Sequence, residues 1–152
     1  SAPVAPARAT GSTHTRYRTA RLNTSDRLIT IARARHPAVI FHHASIEDLA
    51  NCETRWGGIL AWYSMIHMSP EELPHALTIL RARLHDGGSI LMSFVSGSRL
   101  EAFDHPIAPA YRWPMNKIVA ALTQAGFEVI AQHSNPRSPH AYITACATPS
   151  FS

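Results

Sequence analysis

The sequence has few of the features that mark a secreted protein, a membrane-spanning protein or a protein with a structural metal site. Its 152 residues include only two cysteines, Cys52 and Cys146, which form neither a CxxC pair nor a CxxC...H pattern. This spacing argues against a disulfide framework and a structural zinc site, and it favours a reducing compartment. No stretch reaches the roughly 18 apolar residues of a membrane span, and the N-terminus lacks the apolar core of a signal peptide. We therefore expect a cytoplasmic protein.

The charged residues form no continuous block either. The net charge is +4, but the basic residues are spread along the chain, and Arg81, Arg83 and Arg99 are interpreted as a solvated surface. Such diffuse basicity predicts weak affinity for anions rather than a specific nucleic-acid-binding surface. Among the ten histidines only His42 and His43 are adjacent, and neighbours on a strand point to opposite faces. We expect neither specific nucleic acid nor a metal as ligand.

The chain has the length and apolar content of one globular domain. Apolar residues make up 45% of it, which is enough for a domain of this size to bury its own core. Residues 1–21 combine prolines and a glycine with small polar residues and are predicted to form a loosely structured arm or a degenerate first motif. Residues 22–152 carry the regular patterns and are predicted to form an α/β domain.

Helix and strand patterns alternate along that domain. Short apolar runs indicate strands, and 3.6-residue periodicity with capping residues indicates helices. Strands separated by helices predict a mostly parallel sheet with helices on both faces, with ligands bound outside the carboxyl ends of the strands. The predicted order is a helix over 24–36 with Ile31 inward, a strand over 38–41, a helical turn over 45–49, a strand over 59–63, a helix capped by Ser69 and ending before 85–88, a strand over 89–95, a loop over 96–113, a helix from Pro114 to Ala125, and an antiparallel pair over 127–132 and 140–148.

Four segments of the chain resemble the class I S-adenosylmethionine-dependent methyltransferases, in the small-molecule branch common in actinobacteria. They are LNTSDRLITIARARHP, FHHASIEDL, GGILAWYSMIHMSPEELPHALTILRARLHDGGSILMSF and LTQAGFEVI, within a stretch from Asn23 to Thr148. The resemblance implies a Rossmann-like, mostly parallel sheet whose last strand, 140–148, is antiparallel. It also implies S-adenosylmethionine as the cofactor and a small molecule as the methyl acceptor.

The resemblance implies a site for the nucleoside half of the cofactor. Asn23 takes the place where the family usually has an acidic residue that binds both ribose hydroxyls. An asparagine accepts with one uncharged amide oxygen, so this anchor should be weaker. Ser45 and Ile46 fall where the family contacts the adenine.

The segment LAWYSMIH is expected to hold the other half of the cofactor. By the resemblance, Ala61, Trp62 and Tyr63 flank the methionine part, and Ile66 and His67 follow near the methyl group. Without the resemblance, the favoured interpretation of Trp62 and Tyr63 is the aromatic end of a core strand. With the resemblance, contact with the ligand is favoured. His67 and Tyr63 are the candidate catalytic residues, because a base is needed if the acceptor must lose a proton. For His67, a structural histidine is the competing interpretation.

Tyr111 and Trp113 end the long loop, where the family tends to build its substrate pocket. They are therefore candidate substrate-binding residues. The alternative is that they anchor the loop on the core.

The chain departs from the family in the region that precedes Asn23. The family has a glycine-rich GxGxG loop there, which lets the backbone approach the cofactor. Here PVAPARATGSTHTRY has a single glycine, and RTAR runs almost directly into LNTSD, so the N-terminal part of the sheet could be incomplete. This leaves two alternatives to an active enzyme: an inactive methyltransferase-fold protein that acts as a binding or homodimerisation module, and a shortened or rearranged form of a longer chain.

Overall fold

The computed structural model describes residues 20–23, 30–31, 34–35, 40–43 and 45–149. The predicted arm and the degenerate glycine segment, up to residue 19, lie outside the described residues. The elements are β1 (Ala20–Asn23), β2 (Ile40–His43), α1 (Ile46–Ala50), β3 (Trp56–Ala61), α2 (Glu72–Ala82), β4 (Leu84–Ser96), β5 (Glu101–Phe103), β6 (Ala110–Trp113), α3 (Met115–Gln124), β7 (Phe127–Asn135) and β8 (Ser138–Ala147).

A six-stranded mixed sheet forms the centre of the fold, in the order β5-β6-β4-β8-β7, with β3 also paired to β4. The pairs β3–β4 and β4–β6 are parallel. The pairs β4–β8, β7–β8 and β5–β6 are antiparallel. The predicted antiparallel last strand is confirmed, but in the described residues the sheet is mixed rather than mostly parallel. The strands β1 and β2 form a separate parallel pair.

The main core lies between this sheet and the helices α1, α2 and α3. Contacts join α1 to α2, α2 to α3, and α3 to β7. Alternate residues of β4 and β8 face these helices and are buried with them. The main members of the cluster are Ile90, Met92 and Phe94 of β4, Ala141, Ile143 and Ala145 of β8, and Leu77, Leu80, Ile118 and Leu122 of the helices.

The opposite face of the sheet is more open. Ile130 of β7 is 59% exposed and Tyr142 of β8 is 38% exposed. Residues 30–31 and 34–35 are helical, in agreement with the predicted first helix. However, Ile31 is 40% exposed, so its predicted inward position is wrong. No helix among the described segments is long and apolar enough to cross a membrane.

Side-chain caps begin the helices α1 and α2 where the sequence predicts them. The Ser69 N–H donates to Glu72 Oε2 at 2.9 Å, and the Glu72 N–H donates to Ser69 Oγ at 3.2 Å. Ser45 and Asp48 form the same reciprocal capping box at the start of α1. Each box satisfies backbone donors that the first helical turn leaves unpaired.

The predicted turn at 85–88 is instead an irregular start of β4. Trp56 pairs with Leu84, whereas Gly58 pairs with Ser89, so the register shifts between these two pairs. Gly87 has a φ of 77°, which glycine tolerates because it has no Cβ. The strand therefore begins before the bulge rather than after it.

The predicted long loop contains the hairpin β5–β6. Its strands pair through Glu101 and Arg112, Ala102 and Tyr111, and Phe103 and Ala110. β6 also extends alongside the end of β4, because Val95 pairs with Arg112 and Ser96 with Trp113. The hairpin consequently lies at the carboxyl end of β4, where the sheet is expected to bind ligands.

Candidate functional site

The chain turns sharply after β3. The strand ends at Ala61 rather than at Tyr63 as predicted, so Trp62 and Tyr63 lie just past its carboxyl end. Tyr63 has a φ of 51°, and such left-handed backbone in a bulky residue costs about 1–3 kcal/mol. The Tyr63 N–H donates to Ser93 Oγ at 2.7 Å, and Ser93 is 2% exposed. A buried serine on β4 thus holds the corner in place.

The Tyr63 side chain is held from a second strand. Its hydroxyl lies 2.6 Å from His140 Nδ1, and the two rings meet edge to face at 5.5 Å. Burial raises the pKa of the Tyr63 phenol above its usual value of 10.0. The phenol therefore keeps its proton at neutral pH, and it can donate that proton to Nδ1 when Nδ1 carries no hydrogen. We call Tyr63 and His140 the dyad.

An aromatic surface continues from the dyad across the open face of the sheet. Trp62 is 40% exposed and meets the ring of Tyr63 edge to face at 5.5 Å. Its ring centroid is 6.3 Å from that of Tyr142. His133 stacks on Tyr142 at 4.2 Å. Aromatic faces at such distances attract other flat rings.

His67 is held by the hairpin β5–β6. Its Nδ1 lies 2.9 Å from the Pro109 carbonyl oxygen. A carbonyl can only accept, so Nδ1 carries the proton, and in the neutral ring Nε2 keeps a free lone pair. The ring of His105 meets that of His67 edge to face at 5.0 Å. His67 is therefore placed so that Nε2 can act as a base.

The structure brings Ile66 and Tyr111 next to this corner. The Tyr111 N–H donates to the Ile66 carbonyl at 2.9 Å. Ile66 is buried in a small cluster with Val95 and Ala110, against which Tyr63 packs. Its side chain is thus a packing group.

Ala61 and Trp113 are buried in the main core, at 2% and 6% exposure. For Trp113 this position fits the alternative in which the residue anchors the loop on the core.

The predicted nucleoside-binding residues lie on separate elements. Asn23 is the last residue of β1 and pairs with His43 of β2. The Ser45 hydroxyl donates to Asp48 Oδ2 at 3.1 Å as part of the helix cap. Ile46 packs against the main core. Their roles at the ribose and the adenine stay predictions from the family resemblance.

One buried polar atom at the corner has no protein partner. Ser64 Oγ is inaccessible to solvent and makes no hydrogen bond within the described part of the chain. A buried hydroxyl without a partner is unfavourable unless a ligand or water satisfies it. The described residues contain no group of three or more histidines, cysteines or carboxylates placed to hold a metal ion.

Comparison with known proteins gives matches only at the level of structure. No family model and no curated protein matches the sequence. The 1,6-didemethyltoxoflavin-N1-methyltransferase of Burkholderia thailandensis, solved with 1,6-didemethyltoxoflavin and S-adenosylhomocysteine bound, superposes with a TM-score of 0.70 at 17% identity, over 87% of this chain and 62% of that chain. An S-adenosylmethionine-dependent methyltransferase of Clostridium acetobutylicum gives 0.70 at 9% identity, over 84% of this chain and 74% of that one.

The glycopeptide N-methyltransferase MtfA, solved in complex with S-adenosylmethionine, gives a TM-score of 0.64 at 16% identity, over 84% of this chain and 76% of that chain. This chain has the class I methyltransferase fold. The methyltransferase-like α/β fold implied by the four quoted segments is thereby confirmed, whereas the described sheet is mixed rather than mostly parallel. The chain spans less than two thirds of the Burkholderia enzyme. Because one fold serves many reactions, the activity of this methyltransferase-fold chain depends on its site residues.

Two hydrogen-bond partners of Tyr63, Ser93 and His140, were not predicted from the sequence. Ser93 is the one polar residue in the apolar run 90–95 of β4, and His140 is the third residue of β8. An antiparallel last strand beside β4 places its first residues near the carboxyl end of β4, as the pairing of Val95 with His140 shows. That signal was available in the sequence but needed the strand order to be interpreted.

Proposed function

We propose that this protein is an S-adenosylmethionine-dependent methyltransferase that acts on a small molecule in the cytoplasm. The observation that carries the proposal is the corner after β3, where Tyr63 has a φ of 51°. Strained backbone of this kind persists where the surrounding contacts over-determine it, and it concentrates at ligand sites. The corner also lies at the carboxyl end of the parallel pair β3–β4, where open α/β sheets bind ligands.

The residues of the corner fit the polar and apolar parts of that cofactor. When bound, S-adenosylmethionine supplies an electrophilic methyl group on a sulfonium sulfur. Ala61, Trp62 and Tyr63 would hold its methionine part, with Ile66 following, and Ser64 Oγ is a buried group that lacks a protein partner. The nucleoside would be held by Asn23 at its ribose and by Ser45 and Ile46 at its adenine.

The catalytic work of the protein would be orientation, exclusion of water and removal of a proton. Alignment of two reactants is the largest contribution that an enzyme can make to a direct displacement. His67, whose Nδ1–H is bound to the Pro109 carbonyl so that Nε2 is the ring nitrogen left to accept, and Tyr63 are the two candidates for removing that proton. Tyr111, whose N–H donates to the Ile66 carbonyl, would position the acceptor from the hairpin, and Trp113 would anchor the hairpin on the core.

Binding measurements on variants of Asn23 test the proposal. We expect calorimetry to detect S-adenosylhomocysteine binding, and Asn23→Asp to tighten it about five- to tenfold. The reason is that a carboxylate accepts stronger hydrogen bonds from ribose hydroxyls than an amide oxygen, by about 1 kcal/mol. Asn23→Ala should weaken binding, whereas Lys117→Ala on α3 is the matched control and should leave it unchanged.

No detectable binding of either S-adenosylmethionine or S-adenosylhomocysteine at millimolar ligand would exclude the proposed function. Equal affinities for the Asn23 variants and Lys117→Ala would remove Asn23 from the site while leaving the corner in place.

A binding or homodimerisation module is the second candidate function. It is favoured by β7, which lies at one edge of the sheet and carries Ile130 at 59% exposure. Unpaired sheet edges with apolar side chains pair readily with another strand. Light scattering tests this second candidate. If the protein dimerises through the edge at β7, its molar mass in solution must exceed the monomer mass of 16.7 kDa, and it must return to the monomer mass in Ile130→Lys.

A further inference from the structure

We propose that His140 is the proton-accepting partner of Tyr63, so that the dyad carries a proton from the methyl acceptor to solvent. The proposal rests on the proposed function and narrows its substrate class. The acceptor would bear a proton on the atom that is methylated, as a phenolic hydroxyl or a ring N–H does.

The dyad is built by three separate parts of the chain. Tyr63 follows β3, His140 belongs to β8, and Ser93 of β4 accepts the Tyr63 N–H. The Tyr63 hydroxyl then reaches His140 Nδ1 at 2.6 Å, a short distance for an O–H···N hydrogen bond. Packing and hydrogen bonds thus fix both ends of the tyrosine, which is what a group that passes a proton in one direction requires.

The geometry provides an exit for the proton. In the tautomer whose Nδ1 accepts from the phenol, Nε2 carries the hydrogen of the ring. His140 is exposed, so Nε2 can exchange its proton with water. Tyr63 is half-buried and lies at the corner, so one end of the dyad faces the candidate site and the other faces solvent.

In this relay two protons move through the dyad while the methyl group is transferred. The acceptor passes its proton to Tyr63 Oη while Oη passes its own proton to His140 Nδ1. The electron pair freed on the acceptor forms the new bond to the methyl carbon of the sulfonium donor, and the pair of the broken carbon–sulfur bond stays with sulfur. His140, now an imidazolium, releases a proton from Nε2 to water.

This arrangement favours acceptors that need help to lose a proton. A tertiary amine or a thioether already has a free electron pair and no proton to lose, so the dyad would contribute nothing to its methylation. His140 acts through Tyr63 and is therefore a positioning residue, whereas Tyr63 would touch the acceptor.

The first test observes the dyad itself without any reaction. Nitrogen-15 NMR of the histidine rings should show His140 as the Nε2–H tautomer with a hydrogen-bonded Nδ1, with and without S-adenosylhomocysteine. His140→Asn assigns the resonance by its loss. In Tyr63→Phe the Nδ1 resonance should move toward that of a free ring nitrogen. An unchanged Nδ1 resonance in Tyr63→Phe overturns the proposal.

The second test compares methyl transfer to a panel of phenols with transfer to a panel of tertiary amines. Asparagine can still accept the Tyr63 hydrogen bond but cannot take a proton, so His140→Asn should slow phenol methylation about 100-fold or more. It should leave amine methylation and S-adenosylhomocysteine binding unchanged. The control is His85→Asn, an exposed histidine in the irregular start of β4 and outside the candidate site, which should behave as wild type on both panels.

The outcomes separate this proposal from the proposed function. If S-adenosylhomocysteine does not bind while the NMR shift is present, the proposed function fails and the relay, which serves it, fails with it. If the cofactor binds but His140→Asn methylates phenols as fast as His85→Asn does, only the relay is overturned. The same holds if His140→Asn slows amine methylation by the same factor as phenol methylation. A wild-type protein that binds the cofactor and methylates amines but no phenol also overturns only the relay.

Discussion

At the scale of single residues, Arg81 shows how a surface charge becomes a structural group. Its Nε donates to the Gly126 carbonyl at 3.2 Å, its Nη2 also contacts the Thr148 carbonyl, and its Nη2 pairs with Asp86 at 2.9 Å. The side chain is only 13% exposed. The interpretation of Arg81 from the sequence as a solvated residue was therefore wrong, because its carbonyl partners Gly126 and Thr148 lie far from it in the chain.

We expect Arg81→Met to lower the free energy of unfolding by about 2–3 kcal/mol, since it removes the ion pair with Asp86 and the hydrogen bonds to the Gly126 and Thr148 carbonyls. Methionine keeps most of the apolar stem, so lost packing contributes little. Urea unfolding followed by tryptophan fluorescence measures the change. Arg99→Met, at an exposed position, is the control and should stay within about 0.5 kcal/mol of wild type.

Tyr63 gives a prediction about alkaline pH. Burial raises its pKa above 10.0 in the folded protein, so the unfolded chain loses this proton first as the pH rises. The contribution of Tyr63 to stability is therefore complete below pH 10 and declines above it. In Tyr63→Phe the free energy of unfolding should fall less steeply above pH 10 than it does in the wild type. In a pH titration of the folded proteins, the tyrosinate absorbance that the variant lacks relative to the wild type should develop above pH 10. Parallel stability curves for the two proteins would contradict this.

At the scale of elements, the start of β4 depends on backbone conformation rather than on packing. Gly87 has a φ of 77° and nothing within 4 Å of where a Cβ would lie. Gly57 of β3 also has nothing within 4 Å but lacks the positive φ. The two glycines thus separate the effect of conformation from that of space.

Gly87→Ala should lower the free energy of unfolding by about 1–2 kcal/mol, the usual penalty for an L-residue in the left-handed region. Gly57→Ala should be neutral or stabilising by up to about 1 kcal/mol, because it restricts the unfolded chain. Chemical denaturation of both variants checks the pair. Equal effects would mean that the bulge adopts another conformation in solution.

The hairpin β5–β6 shows why some elements resist prediction. Its strands are short, EAF and AYRW, and prolines separate them. No run of this length carries a clear alternation, so the segment was predicted to be a loop. The pairing of β6 with the end of β4 stabilises it, and that partner is distant in sequence.

At the scale of the whole molecule, cofactor binding should raise stability by mass action. With S-adenosylhomocysteine at about 100 times its dissociation constant, the gain is about 2.7 kcal/mol. For a domain of this size this corresponds to a rise in Tm of roughly 5–11 °C. Thermal unfolding with increasing ligand measures it, with adenosine alone as a control that should give a smaller rise. A Tm independent of ligand would argue against binding to the folded state.

The fold class and most element positions were predictable because they depend on local patterns. The bounds of α1, α2 and α3 were predicted to within a few residues. The signals were the capping serines, the apolar stripes at helical spacing and the closing Gly126. The quoted methyltransferase-like segments also predicted the antiparallel last strand, which the structure confirms.

The sequence by itself determined the helices α1, α2 and α3 and the positions of most of the strands, because neighbouring residues suffice to encode caps, apolar runs and periodicity. Only the tertiary structure decided that Tyr63 takes a positive φ, that Ser93 holds it, and that His140 binds its hydroxyl. These depend on strand register, in which one residue of slip moves every side chain to the other face. Register is set by contacts across the whole sheet, so no single segment contains it.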